Sequence, residues 1–172
     1  MIEHEQIEWC DIWITGANND LTPRVLLIGD SITCDYFPQV EKVLGDQFNC
    51  ARLASSKCLC DPAFIKELAL ILDEYQFSII HFNNGLHGWH YDEDSYRKHF
   101  SKTLDYIIAH AEGASLIWAN STPVLKKDRR DGFALEIERI LERNRIANKI
   151  AETYKIPEND LFSLVQGHSE YF

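Results

Sequence analysis

Residues 24–31 read Arg24-Val25-Leu26-Leu27-Ile28-Gly29-Asp30-Ser31, an apolar run that ends in a polar turn. Branched apolar residues favour β-strands, whereas glycine and aspartate favour turns, so the run predicts a buried strand that ends at Gly29. Gly29 lets the chain bend sharply, and the carboxylate of Asp30 can tie down the turn. The pattern therefore places Ser31 on a turn at the end of a buried strand.

Further apolar runs follow this strand, and segments of helical periodicity separate them. They are residues 49–53, 77–82, 115–119 and 161–165, the last of which suits a strand or a short helix. Apolar strands that alternate with helices are typical of a parallel sheet covered on both faces. The sequence therefore predicts an α/β fold, a three-layer α/β/α sandwich around a parallel, flavodoxin-like sheet of about five strands. In such sheets ligands bind outside the carboxyl ends of the strands.

The composition suits one domain. The chain has 172 residues, of which 45% are hydrophobic and 26% are charged, and we expect a single domain over residues 1–172. Residues 1–23 are expected to form an N-terminal extension that packs on this domain. The net charge of -10 argues against nucleic acid as a partner, because affinity for phosphates comes from clustered Lys and Arg. No stretch approaches the roughly 20 apolar residues of a membrane-spanning helix.

The cysteines bear on compartment and metal binding. Five cysteines are present, and the N-terminus lacks the basic and apolar regions of a secretory signal. An odd number of cysteines in such a chain indicates reduced thiols, so we predict a cytoplasmic protein. Cys58 and Cys60 could form half of a metal site, but structural zinc usually needs a second pair. We therefore predict no metal site.

Ser31 has two interpretations from its position alone. It could project into the ligand crevice as a nucleophile. It could instead begin a helix as an ordinary N-cap residue. The residues around it are compatible with both.

Four segments together resemble the SGNH hydrolases, also called GDSL esterases and lipases. The segments are Gly29-Asp30-Ser31-Ile32-Thr33, Phe82-Asn83-Asn84-Gly85-Leu86-His87-Gly88-Trp89, Trp118-Ala119-Asn120-Ser121-Thr122-Pro123-Val124, and the region from Glu142-Arg143-Asn144 to Leu161. Their order and spacing are similar to a bacterial branch of that superfamily, over roughly residues 24–172.

The resemblance implies a role for each matching position. Ser31 would attack an ester carbonyl, and its backbone N–H would donate to the oxyanion. Ser56 stands where the second block usually has a glycine whose N–H also faces the oxyanion. Aligned on Gly85, His87 takes the position of the usual oxyanion-hole asparagine, and Asn84 is the alternative donor. An imidazole N–H can stabilise an oxyanion as an amide does.

The general base is the element that does not match. The family takes it from a C-terminal Asp-x-x-His motif, and no such motif occurs between Asp160 and Phe172. We expect that residues 1–172 lack a C-terminal segment with this motif and with the last helix of the fold, whose loss would bare on the order of several hundred Å² of apolar sheet. One alternative is that His168, His87 or His90 is the base. Another is a catalytically inactive relative.

The implied function is that of a serine esterase or acylhydrolase. Such an enzyme cleaves a carboxylic ester through an acyl-enzyme intermediate and needs no cofactor. The implied partner is a small-molecule ester, either an acylated carbohydrate or a short-chain ester. The alternative is an inactive module of the same fold that binds a carbohydrate or acyl ligand. The oligomeric state does not follow from the sequence.

Overall fold

A six-stranded sheet forms the centre of the structure, a computed structural model that describes residues 4–126, 129–133 and 137–168. In chain order the strands are β1 (Cys10–Ile14), β2 (Arg24–Gly29), β3 (Asn49–Ser55), β4 (Ile79–Phe82), β5 (Ser115–Ala119), β6 (Leu125–Lys126), β7 (Arg129–Phe133) and β8 (Glu158–Asn159). The helices are α1 (Ser31–Leu44), α2 (Pro62–Leu72), α3 (Glu93–His110), α4 (Ile137–Thr153) and α5 (Leu161–Val165).

The strand order of the main sheet is β1-β3-β2-β4-β5-β8, and β6 and β7 form a separate hairpin. Five of the six strands are parallel, in the order typical of flavodoxin-like folds. The predicted α/β fold with about five parallel strands is therefore confirmed. The sixth strand, β1, lies in the N-terminal extension and pairs antiparallel with β3 at the sheet edge. Sequence patterning did not predict this strand.

Aspartates begin several of the helices. Asp30 caps α1 by accepting the N–H of Ile32 at 3.0 Å, and Asp61 caps α2 by accepting the N–H of Ala63 at 2.8 Å. Pro62 follows at the first position of α2, where its missing N–H costs nothing. Since Asp30 is the cap, Ser31 is not the N-cap residue but the first residue of the helix.

The larger part of the core lies on one face of the sheet. There Leu26 and Ile28 of β2 pack with Phe64 of α2, Phe100 of α3 and Trp118 of β5. Each of these side chains is fully buried, which stabilises the fold by roughly 1.5–3 kcal/mol for an aliphatic or phenylalanine side chain. This face anchors the strands whose carboxyl ends carry the candidate site.

The opposite face of the sheet packs against α1. Val25 and Leu27 of β2 form a smaller cluster there with Phe37 of α1. Next to this cluster lies an apolar groove of about 870 Å³. It is lined by residues of the sheet, of α1 and of α5, among them Tyr36, Ile79, His81, Ile117, Leu161 and Leu164. Within the described ranges, α1 and α5 are the helices that line this groove. None of the described helices is both long and apolar enough to cross a bilayer.

Candidate active site

Ser31 follows the carboxyl end of the buried strand β2 and is itself exposed. β2 has the neighbours β3 on one side and β4 on the other, so the strand order reverses here. Crevices at such reversal points are the usual ligand sites of open α/β sheets. Gly29 makes the turn possible, because a Cβ at this position would overlap the Oγ1 atom of Thr33. The structure thus places Ser31 where the sequence predicted it.

Asp30, which precedes Ser31, is buried with a relative exposure of 3%. Its Oδ1 atom caps the helix, and its Oδ2 atom has no hydrogen-bond partner among the described residues. Burial raises the pKa of the Asp30 carboxyl above its ordinary value, although the charge of nearby His87 acts in the opposite direction. Burial therefore favours the protonated form of Asp30.

A cavity of about 290 Å³ opens beside Ser31. His87 lines the same cavity, although it follows a different strand, β4. The other lining residues are Asp30, Ile32, Leu86, Trp89, Val124 and Ile140. The structure therefore brings the predicted nucleophile and the predicted third-block histidine to one concave site.

The imidazole of His87 has a partner that the sequence did not reveal. Its Nδ1 atom lies 2.9 Å from Oε1 and 3.1 Å from Oε2 of Glu5, in the N-terminal segment. The Glu5 carboxylate also accepts the N–H of Gly88 at 3.5 Å. Because Glu5 and His87 are 82 positions apart, no local pattern could have indicated this pair.

Asn84 holds the loop after β4 against the loop after β3. Its side-chain NH2 donates to the carbonyl of Lys57 at 2.9 Å, and the hydroxyl of Tyr96 donates to its carbonyl at 2.7 Å. Asn84 is buried, and it is not among the residues that line the Ser31 cavity. The predicted oxyanion donor is thus already engaged in bracing the loops.

Ser56 is bound to the N-terminal segment. Its backbone N–H donates to the carbonyl of Trp9 at 3.1 Å, and its Oγ accepts the N–H of Trp9 at 2.9 Å. The N–H that the resemblance assigns to the oxyanion therefore has an acceptor in this structure, and Ser56 does not line the Ser31 cavity.

The buried guanidinium of Arg143, on α4, holds the loop that carries His87. It donates to the carbonyls of Gly85 at 3.0 Å, His87 at 2.8 Å and Gly88 at 3.1 Å. It also lies over the ring of Trp89, 4.4 Å from its centroid. A cation that binds three carbonyls of one loop leaves that loop little freedom, so the position of His87 is set by α4 as well as by β4.

Glycines let this loop approach its neighbours. A Cβ on Gly85 would overlap the Oγ atom of Ser121, in the loop after β5. Gly88 has a φ of +70°, and a Cβ there would overlap the Sγ atom of Cys58. Gly85, on which the third block was aligned, therefore supports the site through close packing between two loops.

Cys58 and Cys60 are buried beneath this loop, and their side chains hydrogen-bond to one another. The hydrogen bond with Cys60 lowers the pKa of Cys58 to about 7, and the same interaction raises the pKa of Cys60. All five cysteines are free thiols.

One group of described side chains is spaced so that it could hold a metal ion, but its carboxylates already pair with a cationic side chain. His4, Glu8 and Asp61 lie within reach of a common point, but the ammonium group of Lys57 pairs with Glu8 and, at 3.2 Å, with Asp61. A metal ion would have to displace this ammonium group, so the cluster does not indicate a metal centre.

His87, His90 and His168 are the candidates for an alternative base. His87 lines the Ser31 cavity. His90 is exposed and its ring packs on Tyr91, while His168 follows α5. Within the described part of the chain, the cavity is therefore shared by Ser31 and His87 but not by His90 or His168.

Comparison with protein-family models and with curated protein sequences gives no match. Solved structures do match. A GDSL-like lipase from Bacteroides thetaiotaomicron is 17% identical, with a TM-score of 0.65 over 83% of this chain and 70% of that chain. The acetyl xylan esterase AlAXEase is 15% identical, with a TM-score of 0.65 over 86% of this chain and 82% of that chain. A family two carbohydrate esterase from Clostridium thermocellum is 12% identical, with a TM-score of 0.55 over 80% of this chain and 54% of that chain.

These similarities establish the fold. The chain has the fold of GDSL-like and SGNH hydrolases, as the resemblance in sequence implied. A shared fold does not fix the reaction, which depends on the residues at the site.

Proposed function

We propose that this protein is a serine esterase or acylhydrolase that cleaves a carboxylic ester through an acyl-enzyme intermediate at Ser31. One observation carries the proposal. Ser31 is the first residue of α1, and it is exposed in a cavity at the point where the strand order of the sheet reverses. Ester-cleaving enzymes share the fold of this sheet. A serine in this place can reach a bound ester without any movement of the sheet.

The N-terminus of α1 suits the charge that develops during such a reaction. The first N–H groups of a helix have no acceptor inside the helix, and they carry its positive dipole end. The N–H of Ser31 belongs to this group, since α1 begins at Ser31. It is the first proposed donor to the oxyanion of the tetrahedral intermediate.

The further donors in the proposal are the N–H of Ser56 and the side chain of either His87 or Asn84. The N–H of Ser56 bonds Trp9 and the amide of Asn84 bonds Lys57, so each would exchange this acceptor for the oxyanion when substrate binds. Hydrogen bonds of a catalytic site often tighten only when substrate is bound.

The proposed substrate is a small ester with a short acyl group. A cavity of about 290 Å³ lies at the lower end of the range for small-molecule sites. Two proteins of the same fold are an acetyl xylan esterase and a carbohydrate esterase, and both names specify esters of carbohydrates. An acetylated carbohydrate is therefore the first class to test.

The test is hydrolysis of p-nitrophenyl acetate and of acetylated xylo-oligosaccharides by the wild-type chain and by Ser31→Ala. We expect Ser31→Ala to lower kcat/KM by about 10³-fold or more, because it removes the nucleophile. Ser163→Ala, at an exposed serine on α5, is the matched control and should keep full activity. Hydrolysis that survives in Ser31→Ala would exclude the mechanism, and an inactive wild-type chain that binds the oligosaccharides would favour the binding-module alternative.

A further inference from the structure

Cys58 and Cys60 lie in one turn beneath the loop after β4. The backbone N–H of Asp61 donates to the carbonyl of Cys58 at 3.0 Å, which closes a turn over residues 58–61. This turn brings the two cysteines side by side, and their thiols hydrogen-bond to one another. A disulfide needs two cysteines whose side chains face one another at short range, and a turn with hydrogen-bonded thiols supplies this arrangement.

The sulfur of Cys58 lies where the chain favours a thiolate. It accepts the thiol hydrogen of Cys60, and the backbone N–H groups of Cys60 and Asp61 also bond to it. Asp61 is the N-cap of α2, so the positive end of the helix dipole lies close to this sulfur. The hydrogen bond from Cys60 lowers the pKa of Cys58 to about 7, although burial and the Asp61 carboxylate act in the opposite direction. Since the thiolate is the form that reacts, Cys58 is the more nucleophilic of the two.

Cys60 has the complementary property. The hydrogen bond with Cys58 raises the pKa of Cys60, so this thiol keeps its hydrogen and remains the donor. A low-pKa cysteine next to a second cysteine is typical of redox-sensing pairs, in which the first attacks the oxidant and the second resolves the product. Cys58 and Cys60 are 8% and 9% exposed, so the oxidant that suits them is a small one.

We infer that Cys58 and Cys60 are a modification site, a dithiol that hydrogen peroxide oxidises to a disulfide and that a thiol reductant restores. This inference does not rest on the proposed esterase function, because the mass of the chain reports a disulfide whether or not the chain hydrolyses an ester. Reversible disulfides of this kind also occur in reducing compartments, where they are usually transient and sense oxidants.

The reaction balances with the two thiols and one peroxide. The thiolate of Cys58 attacks a peroxide oxygen, the O–O bond breaks, and Cys58 becomes a sulfenic acid. The leaving hydroxide takes up the proton that Cys58 gave to the solvent, and water results. The sulfur of Cys60 then bonds the sulfur of Cys58, the S–O bond breaks, and the hydroxyl group leaves as water with the Cys60 proton. The two sulfurs together lose two electrons, and the peroxide gains two.

Oxidation of this pair would act on the loop after β4. The backbone of Gly88 packs directly on Cys58, because a Cβ on Gly88 would overlap both the Sγ and the Cβ atom of Cys58. The carbonyl of Lys57, one residue earlier, accepts the side-chain NH2 of Asn84 at 2.9 Å. A covalent S–S bond is shorter than the contact between two thiols, so the sulfurs of Cys58 and Cys60 must move together on oxidation. The disulfide would therefore change the support beneath this loop.

Peptide mapping tests the modification site directly. Cleavage after Lys57 and Lys66 gives a peptide of residues 58–66, which contains Cys58 and Cys60 and no other cysteine. The folded chain is treated with hydrogen peroxide, denatured, alkylated with N-ethylmaleimide and digested with trypsin. We expect this peptide to carry no maleimide and to be lighter than its reduced form by the mass of two hydrogen atoms. After treatment with dithiothreitol it should bind two maleimides.

Cys50 is the internal control for this experiment. It is buried like the pair, and trypsin places it in a different peptide. Cys50 should still be alkylated after the peroxide treatment. The inference is wrong if the peptide of residues 58–66 binds two maleimides after a treatment that has oxidised the exposed Cys10.

Two single variants test the roles of the two sulfurs. In Cys60→Ser the hydroxyl can still donate to the sulfur of Cys58, but no disulfide can form. Cys58 should then stop at the sulfenic acid, which dimedone traps. In Cys58→Ser we expect little adduct on Cys60, because burial disfavours its thiolate. Equal trapping in the two variants would refute Cys58 as the attacking thiol.

The effect on the loop has a separate readout, which does rest on the proposed function. We expect the disulfide to lower kcat/KM for p-nitrophenyl acetate by about 10-fold or more, since displacements of about 1 Å at a site can cost up to 10²-fold, and dithiothreitol to restore it. The double variant Cys58→Ser/Cys60→Ser should keep its kcat/KM through the same treatment. A disulfide that leaves kcat/KM unchanged would disprove the link to the loop. A reduced wild-type chain without activity would refute the proposed function, and the peptide mass would still decide the modification site.

Discussion

Asn144 is the residue that ties the loop after β5 to α4. Its side-chain oxygen accepts the N–H of Ser121 at 2.8 Å, and its NH2 donates to the carbonyl of Ser121 at 2.8 Å. Both residues are buried, so these backbone groups have no access to water as a replacement. The Ser121 hydroxyl in turn packs against Gly85, so Asn144 also supports the loop that carries His87.

Asn144→Ala should therefore destabilise the fold. Removal of the amide leaves a buried N–H and a buried carbonyl without partners, and we expect the free energy of unfolding to fall by about 2 to 4 kcal/mol. Urea denaturation measures this change. Asn148→Ala, one turn further along α4 and half-buried, should change the free energy of unfolding by less than about 0.5 kcal/mol. Equal losses in the two variants would contradict the role given to Asn144.

At the scale of residues, the sequence predicts those features that depend on residues adjacent in the chain. The turn chemistry of Gly29 and Asp30 placed Ser31 at the end of a buried strand, and the structure has it there. The same reasoning could not find Glu5, because its contact with His87 depends on how the whole N-terminal segment crosses the site. The hydrogen bonds that engage Ser56 and Asn84 likewise come from distant backbone groups.

The loops after β3 and β4 meet at Gly88. This glycine has a φ of +70°, a conformation that residues with a side chain rarely adopt, and its Cα faces the Sγ atom of Cys58. The structure offers a matched comparison, because Gly113 has a φ of +83° but no atom within 4 Å of the place of its Cβ.

Gly113→Ala and Gly88→Ala should therefore differ in their effects. Gly113→Ala carries only the backbone strain, about 1–2 kcal/mol of unfolding free energy. Gly88→Ala adds the overlap with Cys58, so it should destabilise the protein further and should displace the His87 loop. We expect lower kcat/KM for p-nitrophenyl acetate in Gly88→Ala alone. The packing argument is wrong if thermal denaturation and kcat/KM are the same for both variants.

At the scale of elements, local signals predicted the central strands and the start of α2, where Asp61 and Pro62 mark the N-terminus. The sequence did not decide whether the apolar run at residues 161–165 forms a strand or a short helix. It forms α5, because Asp160 accepts the N–H of Ser163 at 3.0 Å and so begins a helix, while the preceding two residues form β8. Strand β1 was not predicted, because its residues are mostly exposed and it forms by pairing with β3 at the edge of the sheet.

The stability of the whole molecule should depend on the charge of His81. This histidine lies in β4, where its Nε2 atom accepts the side-chain N–H of Asn159 at 3.1 Å. Burial lowers the pKa of His81 from 6.5 to about 4. The folded state therefore keeps the ring neutral over a pH range in which the unfolded chain binds a proton.

Because protonation and folding are linked, the lowered pKa of His81 decides whether the unfolding free energy rises or falls with pH. The stabilisation from neutral His81 is complete above pH 6.5 and is lost as the pH falls toward about 4. A pKa lowered to this extent corresponds to a loss of up to about 3 kcal/mol in the free energy of unfolding. The measurement is urea denaturation of the wild type and His81→Leu between pH 7.5 and pH 4.5. The difference in unfolding free energy between the two should shift in favour of the variant as the pH falls, and a constant difference would contradict the account.

The layered architecture follows from the sequence at this scale. Alternating strands and helices predicted a parallel α/β sandwich, and the structure has five parallel strands in flavodoxin-like order. The apolar groove of about 870 Å³ beside α1 lies on the face of the sheet that α1 and α5 border. The candidate site, by contrast, is assembled from the end of β2, the loop after β4 and the N-terminal segment, and only the assembled fold brings these three together.

The most direct test of the central claim is covalent labelling of Ser31. Fluorophosphonate probes react with serines that a neighbouring base has activated, and intact mass spectrometry counts the groups added. We predict one added group on the wild-type chain and none on Ser31→Ala. A Ser31→Ala variant that is labelled as readily as the wild type, or a wild-type chain that hydrolyses esters while its Ser31 stays unmodified, would contradict the assignment of Ser31 as the nucleophile.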